Sequence, residues 1–221
     1  MMLASDFLSV PLEIKDDGIS VLCVENKELF RNIVGAFYDE YPEKMEMVFS
    51  DNYTPFKYKG NVCFIGNFYH LELTSAITKK IYENITSFCN EEMQNETLRL
   101  KAEVTSFMEK VIDSYDYDFN YNADFNLPDL FKMMNLKPDI NNEDMLNSLS
   151  DFILLIKKYT SVKCFILLNP HLYFCEEELD VFYKEIVYSH IPVLMIENNA
   201  NFRKSHYETV RIIDNDLCEI Y

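Results

Sequence analysis

The sequence has no tryptophan, only 4 glycines and 7 prolines in 221 residues, and 20 basic side chains against 37 acidic ones. So little glycine, beside 48% apolar and 26% charged residues, excludes collagen-like, low-complexity and disordered classes. Neither GxxxxGK[ST] nor GxGxxG occurs, which closes the active P-loop ATPases and the dinucleotide enzymes, because no glycine loop can wrap a phosphate. The passage where such a loop would lie reads Cys23-Val24-Glu25-Asn26-Lys27-Glu28. The cysteines (Cys23, Cys63, Cys89, Cys164, Cys175 and Cys218) form no CxxC pair and sit mostly among apolar neighbours. They read as buried thiols in a reducing cytoplasm, not as a disulfide framework or a zinc site. His70, His171, His190 and His206 are too far apart for an HxxxH metal pair, and no serine or cysteine has a nucleophile-elbow context, so an enzyme has little to stand on. No apolar run approaches the ~18 residues of a membrane helix. The start, Met1-Met2-Leu3-Ala4-Ser5-Asp6-Phe7, lacks the basic stretch of a signal peptide. The expectation is a soluble, cytoplasmic protein with no membrane partner.

A chain of this length can bury roughly 70% of its unfolded surface, enough for a core without staples. The net charge of −17 argues against wrapping nucleic acid or an anionic membrane.

The hydrophobic pattern is that of an interrupted α/β fold. A period-2 stretch, Phe7 to Ile14, a turn at Asp16-Asp17-Gly18 and a nearly continuous apolar strand, Ile19 to Val24, predict a hairpin leading into a buried strand. Asn26 can cap a helix carrying Leu29, Phe30, Ile33, Val34 and Phe37, which ends before Pro42. Strands are expected at Met45 to Phe49 and Val62 to Ile65, separated by a loop with Pro55. From Thr74 two amphipathic helices follow, with stripes Ile77, Ile81, Ile85, Phe88 and Leu100, Val104, Phe107, Met108, Val111, Tyr115. A third helix starts near Pro128 and a fourth runs from about Glu143 to Tyr159. Strands at Val162 to Leu168, Val193 to Ile196 and Val210 to Ile213, with a helix from Glu176 to Val187, complete the sheet. The expected division is an α/β head formed by residues 1–74 and 160–221, interrupted by an α-helical leg of residues 75–159.

Three groups of residues could carry chemistry. Glu25 and Lys27, with Asp16 and Asp17 nearby in sequence, resemble the acid, acid-x-Lys set by which some nucleases hold Mg²⁺, though the spacing is short. Asp118, Asn120, Asn122 and Asp124 alternate with other residues, and Asp129 stands twelfth from Asp118, in the oxygen-donor rhythm of a calcium loop. That loop departs from the pattern at Ala123, where a turn glycine is usual, and at Asp129, which is shorter than the usual glutamate. The competing reading is an acidic interhelical loop with its aromatics tucked inward. Basic residues cluster at Lys57 and Lys59, Lys79-Lys80, Lys157-Lys158 and Arg203-Lys204, each of which also reads as an ordinary solvated face.

The order of these segments resembles a known family, the short form of the DNA-end-binding adaptation protein of type II-A CRISPR loci. The likeness runs through Phe7-Leu8 to Pro11-Leu12, Ile19 to Glu25, Val62 to Thr74, and Leu130-Phe131-Lys132-Met133-Met134-Asn135-Leu136-Lys137. It continues in Cys164-Phe165-Ile166-Leu167-Leu168-Asn169-Pro170, Leu172-Tyr173, Glu176-Glu177-Glu178 and Ile191-Pro192-Val193-Leu194-Met195-Ile196-Glu197. The resemblance implies a non-enzymatic homotetrameric ring that threads the end of double-stranded DNA through a basic hole. It implies a P-loop-ATPase-like sheet that has lost the nucleotide loop, and calcium where head and leg join. It also implies partnership with the spacer integrase and the RNA-guided effector nuclease during spacer acquisition. The family's acidic run matches at Asp118 and, with one inserted residue, at Asp124 and Asp129, while Asn120 and Asn122 stand for two of its acids. Lys57 and Lys59 are the leading DNA contacts, followed by Lys15, Lys79 and Lys80. The rival readings are a metal-dependent nuclease using Glu25 and Lys27, and a protein-binding α/β scaffold without DNA affinity.

Overall fold

A computed structural model describes residues 1–122, 125–140 and 144–220. The chain divides into two compact units, Met1–Leu71 with Ile140–Tyr221, and Glu72–Asp139.

Strands with almost no polar position need cover on both faces. Three such strands, β3 (Ile19–Val24), β7 (Cys164–Leu168) and β8 (Val193–Glu197), form the middle of a six-stranded sheet. With β6 (Val62–Ile65), β9 (Glu208–Ile213) and β10 (Glu219–Ile220), its order is β10-β9-β3-β8-β7-β6. Every pairing is parallel except that of the edge strand β10. Numbered along the chain, the parallel strands run 5-1-4-3-2, with the first strand flanked by the fifth and the fourth. This is the α/β sheet that the sequence predicts.

The predicted hairpin is corrected. β2 (Leu12–Glu13) pairs antiparallel with β1 (Met2–Ala4), not with β3. These two strands belong to a second sheet with β4 (Val48–Asp51) and β5 (Thr54–Phe56), in the order β2-β1-β4-β5. The physical reason lies in β3, all six residues of which are buried, so that it takes a central position with neighbours on both sides. Asp16-Asp17-Gly18 therefore carries the chain from one sheet to the other. Pro55, expected in a loop, lies in β5 at the edge of the small sheet, where its missing N–H costs no ladder bond. Met45, expected in a strand, ends a 3₁₀ turn, Pro42–Met45.

Alternation along the large sheet sorts its side chains into two layers. Leu22, Val24, Ile166, Leu194 and Ile196 share a core with Ile33 and Phe37 of α1 (Lys27–Tyr38) and with Leu3, Leu12 and Phe49 of the small sheet. Helices α5 (Met145–Tyr159) and α7 (Glu176–Tyr188) pack against each other in the same unit, burying Leu149, Phe152, Ile153 and Ile156 from α5 and Leu179, Phe182, Tyr183 and Ile186 from α7. A short helix, α6 (Pro170–Tyr173), follows β7. Thus α5, expected within the helical insertion, falls in the α/β unit, because α7 covers its apolar face. Asp144 caps it, accepting from the amides of Leu146 and Asn147, while the expected first residue, Glu143, is outside the described residues.

The second unit consists of α2 (Ser75–Glu92), α3 (Gln94–Ile112) and α4 (Leu127–Met133). Met93 alone joins α2 to α3, and Tyr82 of α2 packs on Phe131 of α4 while its hydroxyl donates to the Leu136 carbonyl at 2.8 Å. Among the described residues no helix is long and apolar enough to cross a membrane.

Candidate functional site

Only Glu25 and Asn26 separate β3 from α1. The Glu25 amide donates to the Ile213 carbonyl at 2.8 Å, and the Asn26 side chain accepts from the amides of Glu28 and Leu29 at 3.1 and 3.0 Å. A side-chain oxygen thus occupies the helix N-terminus that a phosphate would otherwise use. The nuclease set is not assembled either. Asp16 and Asp17 precede β3 and Glu25 follows it, so the six-residue strand holds them about 20 Å apart. The two acids of the turn therefore do not join Glu25 and Lys27 in one site.

The leading lysines flank an anchor. Tyr58 is buried against Phe37 and Phe49, with ring centroids 5.7 and 6.0 Å away, and its neighbours Lys57 and Lys59 are exposed on either side. Asn61 Nδ2 donates to the Lys57 carbonyl at 2.9 Å, and Gly60 turns the loop with a φ of 82°. Lys59 is not a bare cation, because its Nζ lies 2.7 Å from Glu40 Oε2. Lys15 lines a separate depression of about 730 Å³ with Lys157 and Lys163, but Asp16, Asp17 and Asp51 line it too. Lys163 is partnered within it, by Asp51 at 3.4 Å and by the ring of Phe56. Lys79 and Lys80 belong to the other unit, exposed near the start of α2, with Lys79 3.8 Å from Glu83.

Among the described residues the expected calcium donors are not brought together as a metal site. Asp118, Asn120 and Asn122 are exposed on the segment after α3, while Asp124 lies outside the described residues. Tyr115, Tyr117 and Phe119, which alternate with them, cluster with centroids 4.9 to 5.6 Å apart. Asp129 stands in the first turn of α4, its amide held by Asn126 Oδ1 at 2.9 Å. Among the described residues no three His, Cys, Asp or Glu side chains converge as a metal site.

One constellation was not legible in the sequence. His171 of α6 places Nδ1 2.7 Å from Glu197 Oε1 and Nε2 2.9 Å from Glu208 Oε1. Tyr183 donates to Glu208 at 2.6 Å, the Ser205 amide donates to the same carboxylate at 2.9 Å, and Phe202 stacks on the imidazole with centroids 3.9 Å apart. Burial opposes the charge on His171, but hydrogen bonds to both glutamates, reinforced by their charges, lift its pKa to about 9. Burial would raise the Glu208 pKa, yet bonds from His171 and Tyr183 hold it below the ordinary carboxylate value. Both imidazole nitrogens are engaged, so the group acts as a strut that pins the β8–β9 connection at its two ends. The only hint in the sequence is Glu197, an acid closing a run of buried apolar residues.

The cysteine expectation holds in part. Cys23 and Cys164 are buried, Cys63 and Cys89 are half-buried, and Cys175 and Cys218 are exposed.

No curated protein matches the chain. A solved structure described as a putative ABC transporter (ATP-binding protein) from Pyrococcus furiosus is similar over 95% of this chain and 97% of that one, at 10% identity and a TM-score of 0.40. The profile of the family described as CRISPR-associated protein (Cas_Csn2) matches residues 37–217, which run from the end of α1 through the helical unit to the last strands. With most of its length matched in this way, the chain belongs to the CRISPR-associated Cas_Csn2 family.

Proposed function

We propose that this CRISPR-associated adaptation protein is a non-enzymatic homotetrameric ring that binds ends of double-stranded DNA, without sequence preference and with calcium, during spacer acquisition. The observation that carries the reading is the family match over both units. The β3–α1 junction supports the non-enzymatic part, since the amides of Glu25, Glu28 and Leu29 are already bonded within the protein. Lys57 and Lys59 are the first phosphate contacts: Tyr58 fixes their loop, which lowers the entropy lost on binding. Charges further away than a Debye length of about 10 Å are largely screened, so a chain of net charge −17 can still present a local basic loop to DNA.

Asp118, Asn120, Asn122 and Asp129 suit calcium as oxygen donors, and Asp124 is the fifth expected ligand. Two amides in place of carboxylates reduce the site's charge, so its affinity is expected to be modest. Calcium would supply positive charge to an acidic segment. The spacer integrase and the RNA-guided effector nuclease are the expected protein partners.

The test is fluorescence anisotropy with labelled linear duplex, in calcium and in chelator, with linear and closed circular competitors, together with the mass of the free protein. Calcium-dependent binding that only linear DNA displaces, at the mass of four chains, supports the reading. Absence of binding at low salt overturns it in favour of a protein-binding scaffold.

A further inference from the structure

The hairpin between β4 and β5 turns on two residues, Asn52 and Tyr53, both with positive φ, at 48° and 62°. That is the pattern of a type I′ turn, which asparagine suits at the first position and glycine at the second. Tyr53 holds the glycine position under strain, because a bulky side chain crowds the backbone there. The strain is not offset within the chain. Tyr53 is 95% exposed, more than any other large apolar or aromatic side chain among the described residues, so its ring has no protein face against it. The turn itself is firmly held. Phe56 of β5 pairs with the buried Phe49 of β4, and Lys163 Nζ reaches both Asp51, at 3.4 Å, and the Phe56 ring, at 4.8 Å from its centroid. An aromatic face on a fixed support loses little freedom on binding.

We propose that Tyr53 stacks on the terminal base pair of a duplex and so holds the DNA end. This deepens the DNA-end reading and rests on it. Phosphates recur about every 3.4 Å along each strand, so lysine contacts alone bind the interior of a duplex as well as its end. A protein ring admits an end by its shape, but phosphate contacts do not keep that end from sliding past. The face of the last base pair is open only at an end, and every base offers it, so stacking marks the end without reading sequence. Charge around the turn points the same way. The depression beside Asp51 sets Lys15, Lys157 and Lys163 against at least as many acids, Asp16 and Asp17 among them, so attraction at the tip is not chiefly electrostatic. Lys57 lies four residues beyond Tyr53, about 13 Å along an extended strand, which is close to the rise of four base pairs. Tyr53 and Lys57 are thus spaced to meet an end and a phosphate about four base pairs within it.

The test exploits the lack of tryptophan in the chain. Tyr53→Trp places a single indole at the tip, and its emission is followed with a blunt duplex and with the same duplex closed at both ends by nucleotide loops, in calcium at low salt. The expected result is quenching that saturates with the open duplex and is absent with the closed one. In anisotropy, Tyr53→Gly is expected to bind the open duplex roughly tenfold more weakly than wild type, the loss of one stacked base. The same variant should melt about 2 to 4 °C higher, because glycine relieves the strained turn. A Tyr53→Gly variant that loses stability along with affinity assigns the residue to the fold and overturns the inference. So does emission that no duplex changes, equal quenching by both duplexes, or a Tyr53→Gly affinity equal to that of wild type. If wild type binds neither duplex, the inference and the DNA reading fall together. If wild type prefers the open duplex and Tyr53→Gly matches it, the inference falls and the DNA reading stands.

Discussion

The Nε2 of His171 lies 2.9 Å from Oε1 of Glu208, inside a core that otherwise holds few charges. Because its folded pKa of about 9 lies above the ordinary 6.5, the imidazolium stabilises the fold fully below pH 6.5. That contribution is lost as pH rises through about 9, and a shift of this size corresponds to on the order of 3 kcal/mol. The depressed Glu208 carboxylate works in the opposite direction, stabilising above its ordinary range and losing that contribution as pH falls through its folded value. Urea unfolding at several pH values should show stability falling between about pH 6.5 and 9. His171→Leu leaves two buried glutamates without their shared cation and is expected to cost about 3 to 5 kcal/mol at neutral pH. It should also flatten the alkaline slope; an unchanged slope would assign it to another group.

The pair Lys59–Glu40 sets a second expectation. Removing both loop lysines, by Lys57→Gln and Lys59→Gln, should lower the salt slope of duplex binding by roughly 2. Glu40→Gln, which releases Lys59, should tighten binding at low salt. Binding that is indifferent to all three substitutions would move the DNA contacts away from this loop.

Asn120→Asp and Asn122→Asp add carboxylates to the segment after α3. If calcium binds there, titration calorimetry should show tighter binding in each variant, since ligand charge tunes affinity in oxygen sites. Unchanged binding in both would place the ion elsewhere.

Thiol chemistry offers a quick check of the fold. Cys175 and Cys218, which are exposed, should react with a thiol reagent in the native state. Cys23 and Cys164 should react only after unfolding, because burial pushes both thiols up to about 12. Native labelling of Cys164 would contradict its place in the sheet.

The sequence is most legible where burial is two-sided. Ile19 to Val24 and the Cys164 and Val193 strands stand out because a short, dense apolar run suits a strand covered on both faces. β1 and β10, three and two residues long, are too short to show a period, and Pro55 disguises β5 as a loop. The stripe of α5 shows that something covers it without saying what, so periodicity alone assigns the helix to the insertion and only the packing of α7 returns it to the sheet. The same limit applies to α3, none of whose residues is buried. His171, Glu197 and Glu208 meet only after β7, β8 and β9 have been laid side by side, so no spacing along the chain could announce them.

The Asn26 cap reaches further than helix α1. Its Oδ1 satisfies two α1 amides while its Nδ2 donates to the Asn215 carbonyl at 2.9 Å, tying the N-terminus of the helix to the far end of the chain. One side chain thus joins the start of α1 to the loop before β10, and a change at either place is felt at the other.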